Sequence, residues 1–276
     1  MIIKTPAKIN LGLNIVERRP DGYHNLQTVF YPVPLYDTLE VTEMDSEFPS
    51  VSDCDIKTTG ISVAGDEQQN LVCRAYRLLK SDFPRLPRLH IHLHKTIPTQ
   101  AGMGGGSSDA SAMLLLLNQC YNLQLSEQQL VDYAARLGAD CPFFISSKPV
   151  YAEGIGELMH PVALSLSGWH IAIVRPDIPV PTREAFSHIV PRMPQRCCRD
   201  TIALPVEQWR DALSNDFEDS VFISHPELAA IKQQLYAAGA TYAAMSGSGS
   251  ALFGLFRQHV DVASLFPDTF TAFFTL

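Results

Sequence analysis

Residues 98 to 118 read Pro98-Thr99-Gln100-Ala101-Gly102-Met103-Gly104-Gly105-Gly106-Ser107-Ser108-Asp109-Ala110-Ser111-Ala112, then Met113-Leu114-Leu115-Leu116-Leu117-Asn118. Four glycines within five positions leave a main chain with almost no side chains, whose N–H groups can close around a small anion. The Ala/Met/Leu run after Ser107 and Ser108 is a strong helix former. The loop is therefore expected to empty into a helix N-terminus, whose free N–H groups and dipole favour the same negative charge. Loop and helix together predict a phosphate cradle with a polyphosphate as ligand; a valine at Gly105 would occupy space the phosphate needs. The other use of such a stretch is a hinge before a core helix.

Two familiar nucleotide motifs do not fit. A Walker A loop needs Gly-Lys-Ser/Thr, and the chain contains no Gly-Lys pair; a G-x-G-x-x-G fingerprint fails because Ser107 stands three residues after Gly104. Charge also narrows the ligand. With 21 basic and 29 acidic residues the net charge is −8, which argues against a nucleic-acid partner, so an anionic small molecule must be held by local donors. No run of 18 apolar residues occurs, and Lys4 and Lys8 interrupt the N-terminal segment, so no membrane partner and a cytoplasmic location are expected. Cys54, Cys73, Cys120, Cys141, Cys197 and Cys198 form no C-x-x-C pair and are read as reduced thiols.

Periodicity supplies the elements. Residues 2 to 16 alternate as a strand, with Lys8 and Asn10 pointing the same way, and Leu26–Val33 and Thr38–Met44 read as two more strands. Residues 45 to 66 read as short strands in loops. A helix capped by Asn70 follows, then a strand Leu89–Lys95 with His90, His92 and His94 on one face. Those histidines are either a metal site or a polar outer face, the second being favoured because no carboxylate motif accompanies them. Lys95 shares the inward parity of the leucines, at the strand end where the glycine loop begins. Ser126 and Gln129 form a capping box, and Asp140 lies in a Gly-Ala-Asp-Cys-Pro turn. The second half carries a strand at Trp169–Val174, helical patterns near 206–213 and 226–238, and strands around a Gly247/Gly249 loop. Strands and helices in two halves predict an α+β architecture, divided into domains 1–155 and 156–276.

Two further segments accompany the glycine loop: Pro6-Ala7-Lys8-Ile9-Asn10-Leu11-Gly12-Leu13-Asn14-Ile15 and Met245-Ser246-Gly247-Ser248-Gly249-Ser250-Ala251-Leu252-Phe253-Gly254. In this order and at these distances the three motifs resemble those of the GHMP kinases. Asp21-Gly22-Tyr23-His24, Gly138-Ala139-Asp140-Cys141-Pro142-Phe143-Phe144 and Gly154-Ile155-Gly156-Glu157 resemble the branch acting on a cytidine diphosphate alcohol. The resemblance runs over essentially the whole chain. It implies a ribosomal-S5-like N-terminal domain, a ferredoxin-like C-terminal domain and ATP-dependent phosphorylation of a small-molecule hydroxyl with Mg2+. Oligomeric state is left open.

Residue by residue, the resemblance implies ATP binding by Lys95, Pro98, Thr99, Gln100, Ala101, Gly102, Met103, Gly104, Gly105, Gly106, Ser107 and Ser108. Ser108 matches a family serine that can ligate magnesium, although a helix-capping role is equally open to it. Asp140 is implied as general base, and Lys8 as its partner at the acceptor hydroxyl. Asn10, Tyr23, His24 and Phe186 are implied in substrate binding, with Tyr23 and His24 at the cytosine and Phe186 across it. Asp109 is expected to turn its carboxylate away from the phosphates. Met103 stands where leucine is commoner in the family.

Overall fold

The computed structural model describes residues 1–45, 47–48, 50, 52–63 and 65–276. In chain order its elements begin with β1 (Ile2–Arg18), β2 (His24–Glu43), β3 (Cys54–Gly60), α1 (Leu71–Asp82), β4 (Leu89–Lys95), α2 (Gly105–Cys120), α3 (Glu127–Ala135) and α4 (Phe143–Ser146). Next come β5 (Val150–Glu153), β6 (Leu158–Pro161), β7 (His170–Arg175), α5 (Thr182–Ala185), α6 (Cys198–Thr201), α7 (Trp209–Ala212), α8 (Phe217–Ser224) and α9 (Pro226–Ala237). The chain finishes with β8 (Tyr242–Met245), β9 (Leu252–Phe256), α10 (Val262–Leu265) and β10 (Phe270–Thr275).

These elements form two compact units that interleave in sequence. The first comprises Met1–Ala7, Leu35–Thr99 and Gly104–Ser147; the second comprises Lys8–Pro34, Gln100–Met103 and Lys148–Leu276. This division by packing differs from the expected stretches 1–155 and 156–276, because the greater part of β1 and the first half of β2 pack with C-terminal residues.

In the first unit, β3 pairs parallel to β4, and β4 pairs antiparallel to the second half of β2, with Thr38 opposite His94 and Glu43 opposite Leu89. Leu39, Val41, Leu89, Ile91 and Leu93 point into a core shared with Val72, Tyr76 and Leu79 of α1 and Met113, Leu114 and Leu117 of α2. Helix α1 starts where Asn70 Oδ1 accepts the Val72 N–H at 2.9 Å. Helix α3 starts in the expected capping box, Ser126 and Gln129 each bonding the other's backbone. The three histidines lie on the opposite face of β4, engaged by neighbours: His90 Nδ1 meets Asp55 at 2.8 Å, while Thr59 Oγ1 meets His92 Nε2 at 2.9 Å and His94 Nδ1 at 3.0 Å. Within the stretch 45–66 one strand forms, β3, and positions 46, 49, 51 and 64 lie outside the described residues.

The second unit is built on an antiparallel sheet ordered β10-β7-β9-β8. Helix α9 buries Leu228, Ile231 and Leu235 in the core that Ala172, Val174, Ala243, Met245, Leu252 and Phe256 supply from the sheet. Leu13 and Ile15 of β1 join this core. Among the described residues no helix is long and apolar enough to cross a membrane.

Candidate active site

Within the second unit, residues far apart in sequence are fixed against one another. Lys8 and Asn10 alternate along β1 and so share a face. Lys8 is buried; its ammonium donates to Asn10 Oδ1 at 2.7 Å and stands 4.8 Å from the centre of the Phe30 ring. Asn10 in turn donates through Nδ2 to Thr28 Oγ1 at 2.9 Å, which holds its carbonyl toward Lys8.

The main chain of 101–103 is held by the other two motifs. The Lys8 N–H donates to the Met103 carbonyl at 3.0 Å, and Ser246 Oγ donates to the Gly102 carbonyl at 2.9 Å. Gly102 has φ +71°, and a Cβ there would lie 1.9 Å from the Ser246 carbonyl oxygen, so no other residue fits without moving backbone. From the far side, Asn215 Nδ2 donates to the Met245 and Gly247 carbonyls, each at 2.8 Å. Sequence reasoning missed Asn215. Its only signal was the Ser-Asn-Asp run before α8, which reads as a turn or cap.

Tyr23 and His24 part ways. Tyr23 follows a turn in which its N–H donates to Asp21 Oδ1 at 3.0 Å, and its side chain is 61% exposed. His24 stacks on Phe186 with ring centres 4.8 Å apart and planes 19° from parallel, and Phe186 meets Phe217 edge-on at 4.8 Å. Burial, helped by the charge of Arg18, lowers the His24 pKa and favours the neutral imidazole. The segment bearing Phe186 is secured by Glu184, whose carboxylate meets His225 Nε2 at 2.7 Å. A cavity of about 450 Å³ in this unit is lined by Asn14, Arg192, Arg196, Leu213 and Asp216 among others; neither Tyr23 nor Phe186 lines it.

In the first unit the glycine run becomes the start of a helix. Gly104 takes the left-handed conformation, φ +68°, and acts as N-cap of α2, so the helix opens at Gly105, two residues before the expected start. Gly105 and Gly106 thus supply first-turn N–H groups with no side chain over them. Ser108 is buried one turn in, and its Oγ has no hydrogen-bond partner among the described residues. Asp140 is half-buried in the turn where the Cys141 N–H donates to the Gly138 carbonyl at 3.1 Å. Ser111 Oγ ties that turn to α2 through the Cys141 carbonyl at 2.7 Å. Burial pushes the Cys141 thiol up to about 11, which keeps it protonated near neutral pH.

Lys95 is buried between two carboxylates, donating to Asp37 Oδ2 and, at 2.7 Å, to Asp109 Oδ2. Burial alone would lower its pKa; the two aspartates outweigh that and raise it. The Asp109 carboxylate points to Lys95 and to Thr5, whose Oγ1 donates to it at 2.8 Å. Burial pushes the Asp109 carboxyl up to about 7 against the pull of Lys95. Asp37 was also missed, although its parity carried a signal: it stands inward on β2 between Leu35 and Leu39, one step beyond the Thr38–His94 pair and so opposite Lys95.

Comparison with known proteins agrees with this arrangement. Residues 70–148 match the GHMP kinases N terminal domain, and residues 203–266 match the GHMP kinases C terminal domain. The fold is shared with the crystal structure of Methanococcus jannaschii mevalonate kinase, with a TM-score of 0.71 and 14% identity, covering 100% of this chain and 98% of that one. A glycine loop opening α2 on this fold defines the class, the GHMP kinases. At the level of sequence the chain is 52% identical over 266 residues to the 4-diphosphocytidyl-2-C-methyl-D-erythritol kinase of Bacteroides fragilis, covering 96% of this chain and 95% of that one. It also resembles a crystal structure of 4-(cytidine 5'-diphospho)-2C-methyl-D-erythritol kinase, at 34% identity and a TM-score of 0.75 over 92% of this chain and 90% of that one. The chain therefore belongs to the GHMP kinases, in the family of these 4-diphosphocytidyl-2-C-methyl-D-erythritol kinases.

Proposed function

We propose that the protein transfers the γ-phosphoryl group of ATP to the 2-hydroxyl of 4-diphosphocytidyl-2-C-methyl-D-erythritol, a step of non-mevalonate isoprenoid precursor synthesis. The observation that carries this reading is the near end-to-end identity of 52% to a kinase named for that substrate. Phosphoryl transfer asks for charge neutralisation, in-line placement and, for an alcohol, a proton acceptor. The first-turn N–H groups of Gly105 and Gly106, with Pro98–Met103 and Ser107 around them, would receive the phosphates of ATP. Asp140 would take the hydroxyl proton, and the Lys8 ammonium would offset charge developing on the attacking oxygen.

Mg2+ would neutralise phosphate charge when bound. Ser108 fits a role toward it, because its buried hydroxyl has no partner among the described residues. Exposed Tyr23 is available to stack on cytosine, with Asn10, His24 and Phe186 completing the substrate pocket. His24 and Phe186 already stack on each other, so a base lying between them would have to part them.

A coupled assay of ADP release tests the substrate directly, comparing the cytidyl alcohol with homoserine, mevalonate and galactose. Turnover is expected with the cytidyl alcohol alone. Preference for any of the other three would overturn the substrate, and ATP binding without turnover on all four would indicate a non-catalytic sensor on this fold.

A further inference from the structure

Two neighbouring strands, β2 in mid-strand and β4 at its end before the glycine loop, carry a charge where their alternation calls for an apolar residue. On β2 the inward series is Leu35, Asp37, Leu39 and Val41; on β4 it is Leu89, Ile91, Leu93 and Lys95, and all eight are buried. Removing charges from water costs several kcal/mol per ion, so such a pair survives only where its geometry is well satisfied. Here the satisfaction is nearly complete. One oxygen of Asp37 takes the Lys95 ammonium; the other accepts the Thr96 N–H at 2.6 Å and the Ile97 N–H at 2.8 Å. Lys95 reaches on to Asp109 in the first turns of α2, and Asp109 is held from behind by Thr5.

The residues so gripped are the chain entering the glycine segment, Thr96 and Ile97, and the helix leaving it. Gly105 is packed against the same assembly, since a Cβ there would lie 3.0 Å from Ile97 Cγ2 and 3.2 Å from Lys95 Nζ. We propose that Asp37 is a positioning residue for the nucleotide loop: through Lys95 and the Thr96 and Ile97 N–H groups, it fixes where the loop enters relative to where α2 begins. Lys95 then serves the loop through its two carboxylates rather than by reaching the nucleotide. This inference rests on the kinase reading for its consequence, but not for its structural core.

Steady-state kinetics of the full chain carry the first arm. Asp37→Ala removes both the charge and the N–H acceptor, and is expected to raise KM for ATP by at least about tenfold while leaving KM for the cytidyl alcohol within about twofold. Asp37→Asn keeps an oxygen for the two N–H groups and should give a smaller rise in the same single parameter. It carries the kinetic comparison should the alanine variant not fold. A merely structural loss would lower the active fraction, and with it kcat, without splitting the two KM values. An unchanged KM for ATP in a folded variant, or parallel rises in both, overturns the proposal.

Hydrogen exchange on the unliganded protein is the second arm and needs no activity. With Asp37→Ala, amides of Thr96, Ile97 and residues 104–108 should exchange faster by at least about tenfold, with β7 and α9 unchanged. With Asp37→Asn, which keeps the N–H acceptor but drops the charge facing Lys95, residues 104–108 should exchange faster and Thr96 and Ile97 less so. Uniform acceleration, or none, contradicts the clamp. A wild type inert toward the cytidyl alcohol would instead contradict the substrate assignment, and exchange alone would decide the clamp.

Discussion

What crowds a side chain at position 105 is the neighbour, not the backbone. Gly105 lies in the first turn of α2 with an ordinary helical backbone, unlike Gly104, and a Cβ would press on Ile97 and Lys95. Gly105→Val should therefore displace the clamp as well as fill phosphate space, lowering ATP affinity by at least about tenfold while the protein still folds. Calorimetry of ATP binding to the folded variant checks this, and unchanged affinity would remove the loop from the site. Tyr23 makes a complementary test, being exposed and so dispensable to packing. Tyr23→Ala should weaken the cytidyl substrate by roughly 1–3 kcal/mol, about five- to 150-fold, and spare ATP, with Tyr23→Phe mild. Equal losses for both ligands would mark Tyr23 as a packing residue.

Among the elements, β2 shows why sequence alone gave part of the answer. It reads as two strands because Pro32 and Pro34 interrupt it, yet it is one of 20 residues. Residues 28–30 pair with β5, residues 38–43 pair with β4, and the prolines, which have no N–H to donate, fall between the two ladders. Alternation and capping residues were legible because they are local: Asn70, the Ser126–Gln129 box and the β4 parity all form as expected. Asn215 was not, because its work is done on carbonyls 30 and 32 residues away. Asn215→Ala should leave those two buried carbonyls unpaired, costing about 1–3 kcal/mol of stability by denaturant unfolding. A cost below about 0.5 kcal/mol would mean water replaces the amide.

Across the whole molecule, the interleaving of the two packing units is not legible in the sequence, since no composition shift marks a chain that changes unit at Lys8, Leu35, Gln100, Gly104 and Lys148. Buried acids also give stability a pH signature. Glu218 accepts from the Met245 N–H at 2.7 Å and from Lys232 at 2.5 Å, and burial raises its pKa above 4.5. Because the folded value is the higher one, its favourable contribution is complete below pH 4.5 and is lost as pH rises through the folded value. The melting temperature of Glu218→Gln minus that of wild type should therefore increase from pH 4.5 upward; a flat or falling difference would contradict the burial argument.

The central claim is that this chain transfers phosphate with Asp140 as base and Lys8 beside it in function. Asp140→Asn keeps the size and hydrogen-bonding shape of the side chain while removing the base. It should lower kcat by roughly 10²–10⁴ with both substrates still bound, and Lys8→Ala should do comparable harm. On the proposed roles the two would act on one proton and one developing charge, so the double variant should be scarcely worse than the worse single one. The deciding measurement is kcat of folded Asp140→Asn with ATP and the cytidyl alcohol saturating. A fall within that range is the predicted result, whereas retention of most of the wild-type rate would contradict it and leave transfer to positioning and charge neutralisation alone.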